Sequence, residues 1–355
     1  MKHIFLFLSI LFLAPLANAQ TDIVSSGLGK PMGIVLNGND LYIAAYSGNK
    51  ISKIDITATS PTPTDVVTGL DRPCQIVLNG NDLYIAEFGA NKVSKIDITV
   101  SSPTLIDVVI TGLGGPYGLA FNGNDLYISE YSSGQISKIS TTAPVPTTPT
   151  TIVSNGLIGP YGIDFNGDYL FVAEYVGKEL SIINVAAATP TATTIASGLS
   201  EPVGLVLDGN DLYLSEYTAN RISKMDISVS SPTLTPIITT GIQGPVGLDL
   251  NGNDLYIAQS YGVLDKISKV DLTTLSVDAI SHLTNQVYPN PAKDQLFFTQ
   301  PERIVEARIY DLTGKQHTAG MPTNGKLDIS HLDAGIYMLQ LETTAGKTTQ
   351  KIIKE

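Results

Sequence analysis

Hydrophobic and polar positions alternate in short runs through most of the chain. In the run Asp125–Tyr131, Leu126 and Ile128 alternate with Tyr127 and Ser129, which is the period-two pattern of a β-strand. The sequence Asn-Gly-Asn-Asp leads into this run, and Asn-Gly before a β-rich segment favours a tight turn because both residues tolerate positive φ. The pattern predicts short strands joined by tight turns.

The same Asn-Gly-Asn-Asp-Leu-Tyr-Ile pattern recurs six times, with a few substitutions, at intervals of 42 to 44 residues. Four short strands fit into one interval, and a repeat of this kind is typical of a β-propeller blade. We therefore predict an all-β fold with a six-bladed β-propeller over residues 20–281. The copies begin at Asn37, Asn79, Asn122, Asn166, Asp208 and Asn251.

Both ends of the repeat region offer a strand that would complete the sixth blade. Asp22–Leu28 matches the fourth strand of a blade, although no first three strands precede it, and Val277–Leu283 competes at the far end. Closing the ring removes an exposed sheet edge. We expect Asp22–Leu28 to join the two ends, but the sequence leaves the choice open.

The first 19 residues predict a signal peptide and therefore export. Lys2 and His3 precede the apolar run Ile4–Leu16, and Ala-Asn-Ala follows as a small-x-small cleavage site before Gln20. No later stretch approaches about 18 uninterrupted apolar residues, so we expect no transmembrane segment.

Cysteine content and charge narrow the chemistry of the repeat region. Cys74 is the single cysteine, so a disulfide within the chain is excluded. Residues 20–281 carry 12 Lys and Arg against 25 Asp and Glu, whereas residues 282–355 carry eight of each kind. An acidic domain repels nucleic acid and anionic membranes. The negative charge of this domain favours binding of cations or cationic ligands, or it serves only to keep the protein soluble.

An acidic residue follows the Leu-Tyr-Ile strand in four of the six copies, and an aromatic residue comes next. If equivalent positions point toward one end of the axis, these carboxylates converge and form a site for Ca²⁺ or another divalent cation. In the alternative interpretation, each carboxylate accepts backbone N–H bonds from a neighbouring blade's loop, and no cofactor is certain. The six positions are Ala45, Glu87, Glu130, Glu174, Glu216 and Gln259.

A second set of positions directly follows the Pro at the start of each blade and precedes a Gly in five of the six blades, with Gln75 in the second. The set is mostly apolar and aromatic, and we expect it to face the mouth of the channel. Such a lining fits a small organic or sugar ligand, or it serves axial packing alone. The residues are Met32, Cys74, Tyr117, Tyr161, Val203 and Val246.

The blade motif resembles NHL-type and gluconolactonase-like six-bladed propellers. The matching pattern, G-x-x-x-P-x-G followed by N-G-N-D-L-Y-I-x-E and N-x-I-S-K-I-D, is clearest at Gly112–Asp125, Gly198–Glu216 and Asn220–Asp226. Streptogramin lyases share the architecture and imply a His general base beside a Glu and Mg²⁺, yet residues 20–281 contain no His. Gluconolactonase-like enzymes imply a Glu/Asn/Asp metal set in the channel.

The repeat ends at residue 281, and the charge of the following residues is balanced. A linker over residues 282–286 leads into a separate region, residues 287–355. Alternating apolar residues and turn glycines predict a small Ig-like β-sandwich there. The predicted strands are Gln295–Gln300, Glu306–Gly314, Lys326–Leu332, Gly335–Thr343 and Lys347–Glu355.

This C-terminal region resembles the C-terminal sorting domain of the type IX secretion system of Bacteroidetes-type bacteria. The resemblance implies recognition by the outer-membrane translocon, removal by a sortase-like protease, and delivery to the cell surface or the medium. The matching residues are Tyr288, Pro289, Asn290 and Pro291 at the entry, Gly314 in a D-x-x-G turn, Gly335 and Tyr337 in L-x-x-G-x-Y, and Lys351 and Lys354 in the last strand.

Together these patterns predict an exported propeller that binds a small molecule, a glycan or a protein. The alternative is a metal-dependent lactonase or hydrolase with its site in the channel. A purely structural scaffold is a third possibility if side chains plug the channel.

Overall fold

The computed structural model describes residues 20–275, apart from 230, 231 and 263, and residues 287–355, apart from 299–303, 312, 313, 321–324, 344 and 345. The chain divides into two compact units, Met1–Thr274 and Leu275–Glu355. Every regular element in these ranges is a β-strand, and they contain no apolar helix long enough to cross a membrane. The predicted signal peptide and linker lie outside the described residues.

The first unit is a six-bladed β-propeller whose blades are four-stranded antiparallel sheets. Blade 1 consists of β2 (Pro31–Asn37), β3 (Asp40–Ala45), β4 (Lys50–Asp55) and β5 (Thr64–Thr68). Blade 2 consists of β6 (Pro73–Asn79), β7 (Asp82–Glu87), β8 (Lys92–Asp97) and β9 (Ile106–Val109). Blade 3 consists of β10 (Pro116–Asn122), β11 (Asp125–Glu130), β12 (Gln135–Ser140) and β13 (Thr150–Val153).

Blades 4 to 6 repeat the pattern, and the last one also takes its outer strand from the start of the described chain. Blade 4 consists of β14 (Pro160–Asn166), β15 (Tyr169–Glu174), β16 (Glu179–Asn184) and β17 (Ala192–Ser197). Blade 5 consists of β18 (Pro202–Asp208), β19 (Asp211–Glu216), β20 (Arg221–Asp226) and β21 (Thr235–Ile238). Blade 6 consists of β22 (Pro245–Asn251), β23 (Asp254–Tyr261), β24 (Leu264–Asp271) and β1 (Gln20–Val24).

The N-terminal strand closes the ring. β1 pairs antiparallel with β24, with Gln20 opposite Val270 and Asp22 opposite Ser268. Closure by the N-terminal segment is thus confirmed, although the strand spans Gln20–Val24 and not the expected Asp22–Leu28. The competing segment Val277–Leu283 lies outside the described residues. The outermost strand of the sixth blade therefore comes from the start of the described chain, and the other three strands come from the end of the repeat region.

The first strands of the blades surround the axis and contact one another in ring order. The Gly of the Pro-x-Gly motif permits this close approach, because a Cβ on Gly118 or Gly204 would lie 2.2 Å from Tyr161 O or 2.1 Å from Val246 O of the next blade. This packing places the residue between Pro and Gly beside the axis.

The second unit is a small β-sandwich built from two sheets. Its core contains Leu296, Phe298, Ile309, Leu339 and Ile352. The sheets run in the orders β25-β26-β29 and β28-β27-β30-β31, with β25 (Val287–Tyr288), β26 (Gln295–Phe298), β27 (Ile304–Asp311), β28 (Gln316–Gly320), β29 (Lys326–Asp328), β30 (Gly335–Thr343) and β31 (Gly346–Lys354).

Candidate functional site

The four repeated glutamates are buried inside their own blades. Glu174 ends β15, where its Oε2 accepts the Ile158 N–H at 2.7 Å and its Oε1 accepts the Ser181 hydroxyl at 2.5 Å. Glu87, Glu130 and Glu216 follow the same scheme, each with the N–H of the residue 16 positions earlier and a serine of the third strand. The donor N–H lies in the loop that enters the same blade, not in a neighbouring blade's loop.

The sixth blade reproduces this arrangement with an uncharged side chain. Gln259 Oε1 accepts the Gln243 N–H at 2.7 Å, and its Nε2 donates to Ser268 Oγ at 2.6 Å. An amide therefore performs the same bonding as the carboxylates. Because both glutamate oxygens and the glutamine amide are engaged within one blade, the positions serve to hold the entry loop.

Two of the glutamates also form ion pairs. Arg221 donates to Glu216 at 2.6 and 2.7 Å, and Lys92 lies 3.3 Å from Glu87. Burial acts to raise the pKa of Glu216, but the hydrogen bonds from Arg221, Ser223 and the Ser200 N–H outweigh it and leave the pKa lowered. This carboxylate is charged and fully engaged.

The carboxylates do not converge on a shared opening, so the structure differs from the expected cation site. Ala45 and all five acidic or amide members of the set are at most 1% exposed. Within the described ranges, no group of three or more His, Cys, Asp and Glu is arranged to hold a metal ion. The expectation failed because period-two alternation turns these side chains into the blade, toward the entry loop.

A cavity of about 120 Å³ opens at the axis, and we call it the axial pocket. It is smaller than the roughly 300–1,000 Å³ of sites for drug-sized ligands, so it has room for a single ring. Blades 1, 4, 5 and 6 each contribute two residues. The lining consists of Lys30, Met32, Tyr161, Tyr175, Val203, Tyr217, Val246 and Ser260.

Four of the six residues that follow the first-strand proline line this pocket, and the other two, Cys74 and Tyr117, do not. Tyr117 stacks on Tyr161 at 3.7 Å between ring centroids, and Tyr161 stacks on Tyr175 at 4.7 Å. Tyr117 and Cys74 are buried, and burial raises the pKa of both the Tyr117 hydroxyl and the Cys74 thiol. The tyrosines fill one side of the axis, while Met32 and the two valines leave the other side open.

A second, outer layer of aromatic residues follows the glutamate positions, and it is interrupted in the sixth blade. Tyr46, Phe88, Tyr131, Tyr175 and Tyr217 occupy this layer, whereas the corresponding residue of the sixth blade is Ser260. Ser260 lines the pocket. The opening therefore lies at the sixth blade, where Ser260 replaces a ring and the first strand carries the small side chain of Val246.

In three blades a charged residue occupies a backbone position that favours glycine, and one of these residues, Lys30, lines the pocket. The residue before the first-strand proline has φ of 61° at Lys30, 52° at Arg72 and 53° at Glu201, while the other three blades have glycine there. An L-residue at positive φ is strained. Sequence reasoning missed these residues, although the exchange between glycine and charged residues before proline was a visible signal.

The hairpin of the sixth blade holds Lys30 in place. Six residues separate the paired Gln259 and Lys266, whereas four separate the paired Glu87 and Lys92 of the second blade. Asp265, within this longer hairpin, accepts the Lys30 N–H at 2.6 Å. The backbone that carries the Lys30 side chain is thus fixed to the opposite end of the chain.

In the second unit, the proposed sorting residues join the domain entry to the last strand. Asn290 donates to Lys351 O at 3.0 Å and accepts the Ile353 N–H at 2.8 Å. The Tyr337 hydroxyl donates to Asp333 O at 3.0 Å. Of the remaining residues, Tyr288 stacks on Phe297, Gly314 has φ of 89°, Gly335 begins β30, and Lys354 is 8% exposed.

Residues 286–355 match the family model described as "Secretion system C-terminal sorting domain". This unit is a C-terminal sorting domain. It directs the protein to the outer-membrane surface or the extracellular space. The chain is also 42% identical over 69 residues to beta-agarase D of Zobellia galactanivorans, an alignment that covers 19% of this chain and 14% of that protein.

The fold is similar to solved lyase propellers. Virginiamycin B lyase from Staphylococcus aureus is 19% identical with a TM-score of 0.51, over 71% of this chain and 98% of that chain. A streptogramin B lyase structure is 14% identical with a TM-score of 0.52, over 94% and 97% of the two chains. At these identities, the similarity shows the propeller fold alone.

Proposed function

We propose that this protein is an exported binding module and that its axial pocket holds one ring of a small molecule or glycan. The type IX sorting domain supports delivery to the cell surface or medium. The predicted signal peptide over residues 1–19 supplies the first step of that route. The propeller is the cargo, with boundaries proposed at residues 20–281.

The observation that carries this proposal is the break in six-fold symmetry at the axis. Where the blades agree, their side chains bond within the blade and build it. Where they differ, at Met32, Val203, Val246 and Ser260, they leave a cavity beside stacked tyrosines. Concave sites with aromatic walls and a few polar groups are typical of small-ligand binding.

The alternative, a metal-dependent lactonase or hydrolase, has weaker support. Its candidate ligands Glu87, Glu130, Glu174 and Glu216 each bond to a backbone N–H and a serine. A catalytic metal needs ligands with free oxygens and an open position. The repeated set offers neither.

The repeat itself supplies a variant that tests the proposal. Val246→Tyr places in the sixth blade the residue that Tyr117 and Tyr161 provide in the third and fourth, so the fold should accept it and the pocket should fill. The chain has 16 Tyr and no Trp, so intrinsic tyrosine fluorescence reports ligands at the tyrosine cluster. The titration panel contains neutral, acidic and amino sugars and aromatic acids.

We expect the unmodified protein to bind at least one ring compound and the Val246→Tyr variant to lose that binding. Val100→Tyr, which alters a valine that is 48% exposed in a loop, is the control and should bind normally. Binding that persists unchanged in Val246→Tyr, or no binding by the unmodified protein, would contradict the proposal.

A further inference from the structure

Charge is unevenly distributed around the axial pocket. The propeller is strongly acidic, yet the charged residue that lines the pocket is Lys30. On the neighbouring blade, Arg72 lies outside the pocket lining, where its guanidinium pairs with Asp71 at 3.4 Å and lies 5.3 Å from the Phe88 ring centroid. Glu201 stands on another blade, where it accepts the Tyr175 hydroxyl at 3.1 Å. Lys30 therefore places a positive charge at the pocket of a domain that is acidic overall.

Lys30 is positioned for a ligand, not for a structural ion pair. Its ammonium lies 5.0 Å from the Tyr46 ring centroid, and no carboxylate of the described residues lies within salt-bridge distance of it. By contrast, Lys50, Lys53, Lys92 and Lys95 in the first two blades all have an Asp partner. Lys30 also retains a strained backbone that glycine would relieve, and strain of this kind concentrates at functional sites.

A buried hydroxyl lies in the tyrosine stack at the axis. Tyr117 is 5% exposed, and its Oη has no hydrogen-bond partner among the residues that the structure describes. Leaving a buried polar group without a partner is unfavourable, so the retention of this hydroxyl at the axis indicates a polar role. The ring stacks on Tyr161, which lines the axial pocket, and Tyr161 in turn stacks on Tyr175.

We infer that the ligand of the axial pocket is an acidic saccharide whose terminal ring bears a carboxylate paired with Lys30. The inference rests on the proposed binding function. The pocket accepts one ring, the tyrosines offer flat apolar surface for it, and Ser260 and the tyrosine hydroxyls suit its hydroxyl groups. A cationic ligand would meet the Lys30 ammonium, and a neutral ring would leave that charge unused.

The test compares two oligosaccharides of equal length that end in glucuronic acid or in glucose. Titration calorimetry measures both against the full protein, Lys30→Gly and Lys178→Gly. Glycine occupies the Lys30 position in three other blades, so Lys30→Gly should fold. Lys178 has φ of 56° and does not line the pocket, so Lys178→Gly removes the same charge from the same backbone conformation.

We expect the unmodified protein to prefer the acidic sugar by about tenfold or more, since a charge-assisted hydrogen bond is among the stronger polar contacts. Lys30→Gly should lose this preference, so that it binds the two sugars with equal affinity, and Lys178→Gly should retain the preference. Equal affinity for both sugars would overturn the inference and leave the binding function intact. If neither sugar binds but an aromatic acid binds in a Val246→Tyr-sensitive manner, the sugar assignment fails. If nothing binds, both proposals fail.

Discussion

The backbone N–H of Lys30 donates a 2.6 Å hydrogen bond to Asp265, which joins the first blade to the sixth across 235 positions of sequence. Between other blades an asparagine does the same: Asn49 accepts the Arg72 N–H, Asn91 that of Gly115, and Asn220 that of Gly244. Asp265 is therefore the last of a series of inter-blade contacts. It closes the ring at the axial pocket, while β1 closes it at the rim.

We predict that Asp265→Asn is nearly neutral for stability and that Asp265→Ala is destabilising by about 0.5–1.5 kcal/mol, the net contribution of one solvent-exposed hydrogen bond. Urea unfolding of the two variants measures the difference. Asn performs this contact in three other blades, which makes Asp265→Asn the matched control. Equal stability of the two variants would show that the contact does not hold the ring.

The glutamates should behave as structural residues that tolerate an amide. Glu174→Gln should retain stability close to that of the unmodified protein, because Gln259 makes the equivalent bonds in the sixth blade. Glu174→Ala leaves the Ile158 N–H without a partner and should cost about 2 kcal/mol or more of stability, measured by urea unfolding.

Millimolar Ca²⁺ should leave the melting temperature unchanged in thermal unfolding. A calcium-dependent rise that Glu174→Gln abolishes would restore the metal-site hypothesis.

Two partly buried aspartates predict an unusual pH dependence of stability. Asp164 accepts the N–H groups of Phe165 and of Leu207 in the next blade, and Asp249 accepts those of Leu250 and of Leu36 in the first blade. Burial raises the pKa of each carboxyl from 3.8 to about 6, and these backbone bonds only partly offset it.

Because the folded state holds these protons more tightly than the unfolded state, their contribution to stability falls as pH rises from about 4 to 6. Lowering the pH from 7 to 5 should therefore stabilise the protein by about 1 kcal/mol per aspartate. Valine occupies the equivalent position in the first, second and fifth blades, which makes Asp164→Val a suitable variant. We expect it to lower overall stability and to reduce the stabilisation that follows the change from pH 7 to pH 5. Urea unfolding at both pH values measures it, and an unaltered pH response in the variant would contradict the assignment.

Deletion of residues 284–355 should trap the propeller in the periplasm of the native host. The sorting domain supplies the export signal, and without it the chain has only its predicted signal peptide. Cell fractionation followed by immunodetection of the propeller provides the measurement, with an unmodified copy in the same host as the control. Surface delivery of the shortened chain would show that the signal lies elsewhere.

The sequence was sufficient for the repeat, the strands and the sorting domain, because turn chemistry and period-two alternation recur in every blade. It was insufficient for the role of Glu174 and its equivalents, since a carboxylate aimed at a loop N–H and one aimed at an opening have the same spacing. Ring closure depended on pairing between Gln20 and Val270, which local pattern does not specify. Lys30 and Asp265 became significant only when the chain brought its two ends together.

A crystal structure of the full protein with a ring ligand selected by the fluorescence titration is the most direct test of the axial pocket. The account predicts one ligand ring against Tyr161 and Tyr175, beside Ser260, with any anionic group directed to the Lys30 ammonium. A ligand bound elsewhere on the propeller or on the C-terminal unit, with the axial pocket unchanged, would contradict it.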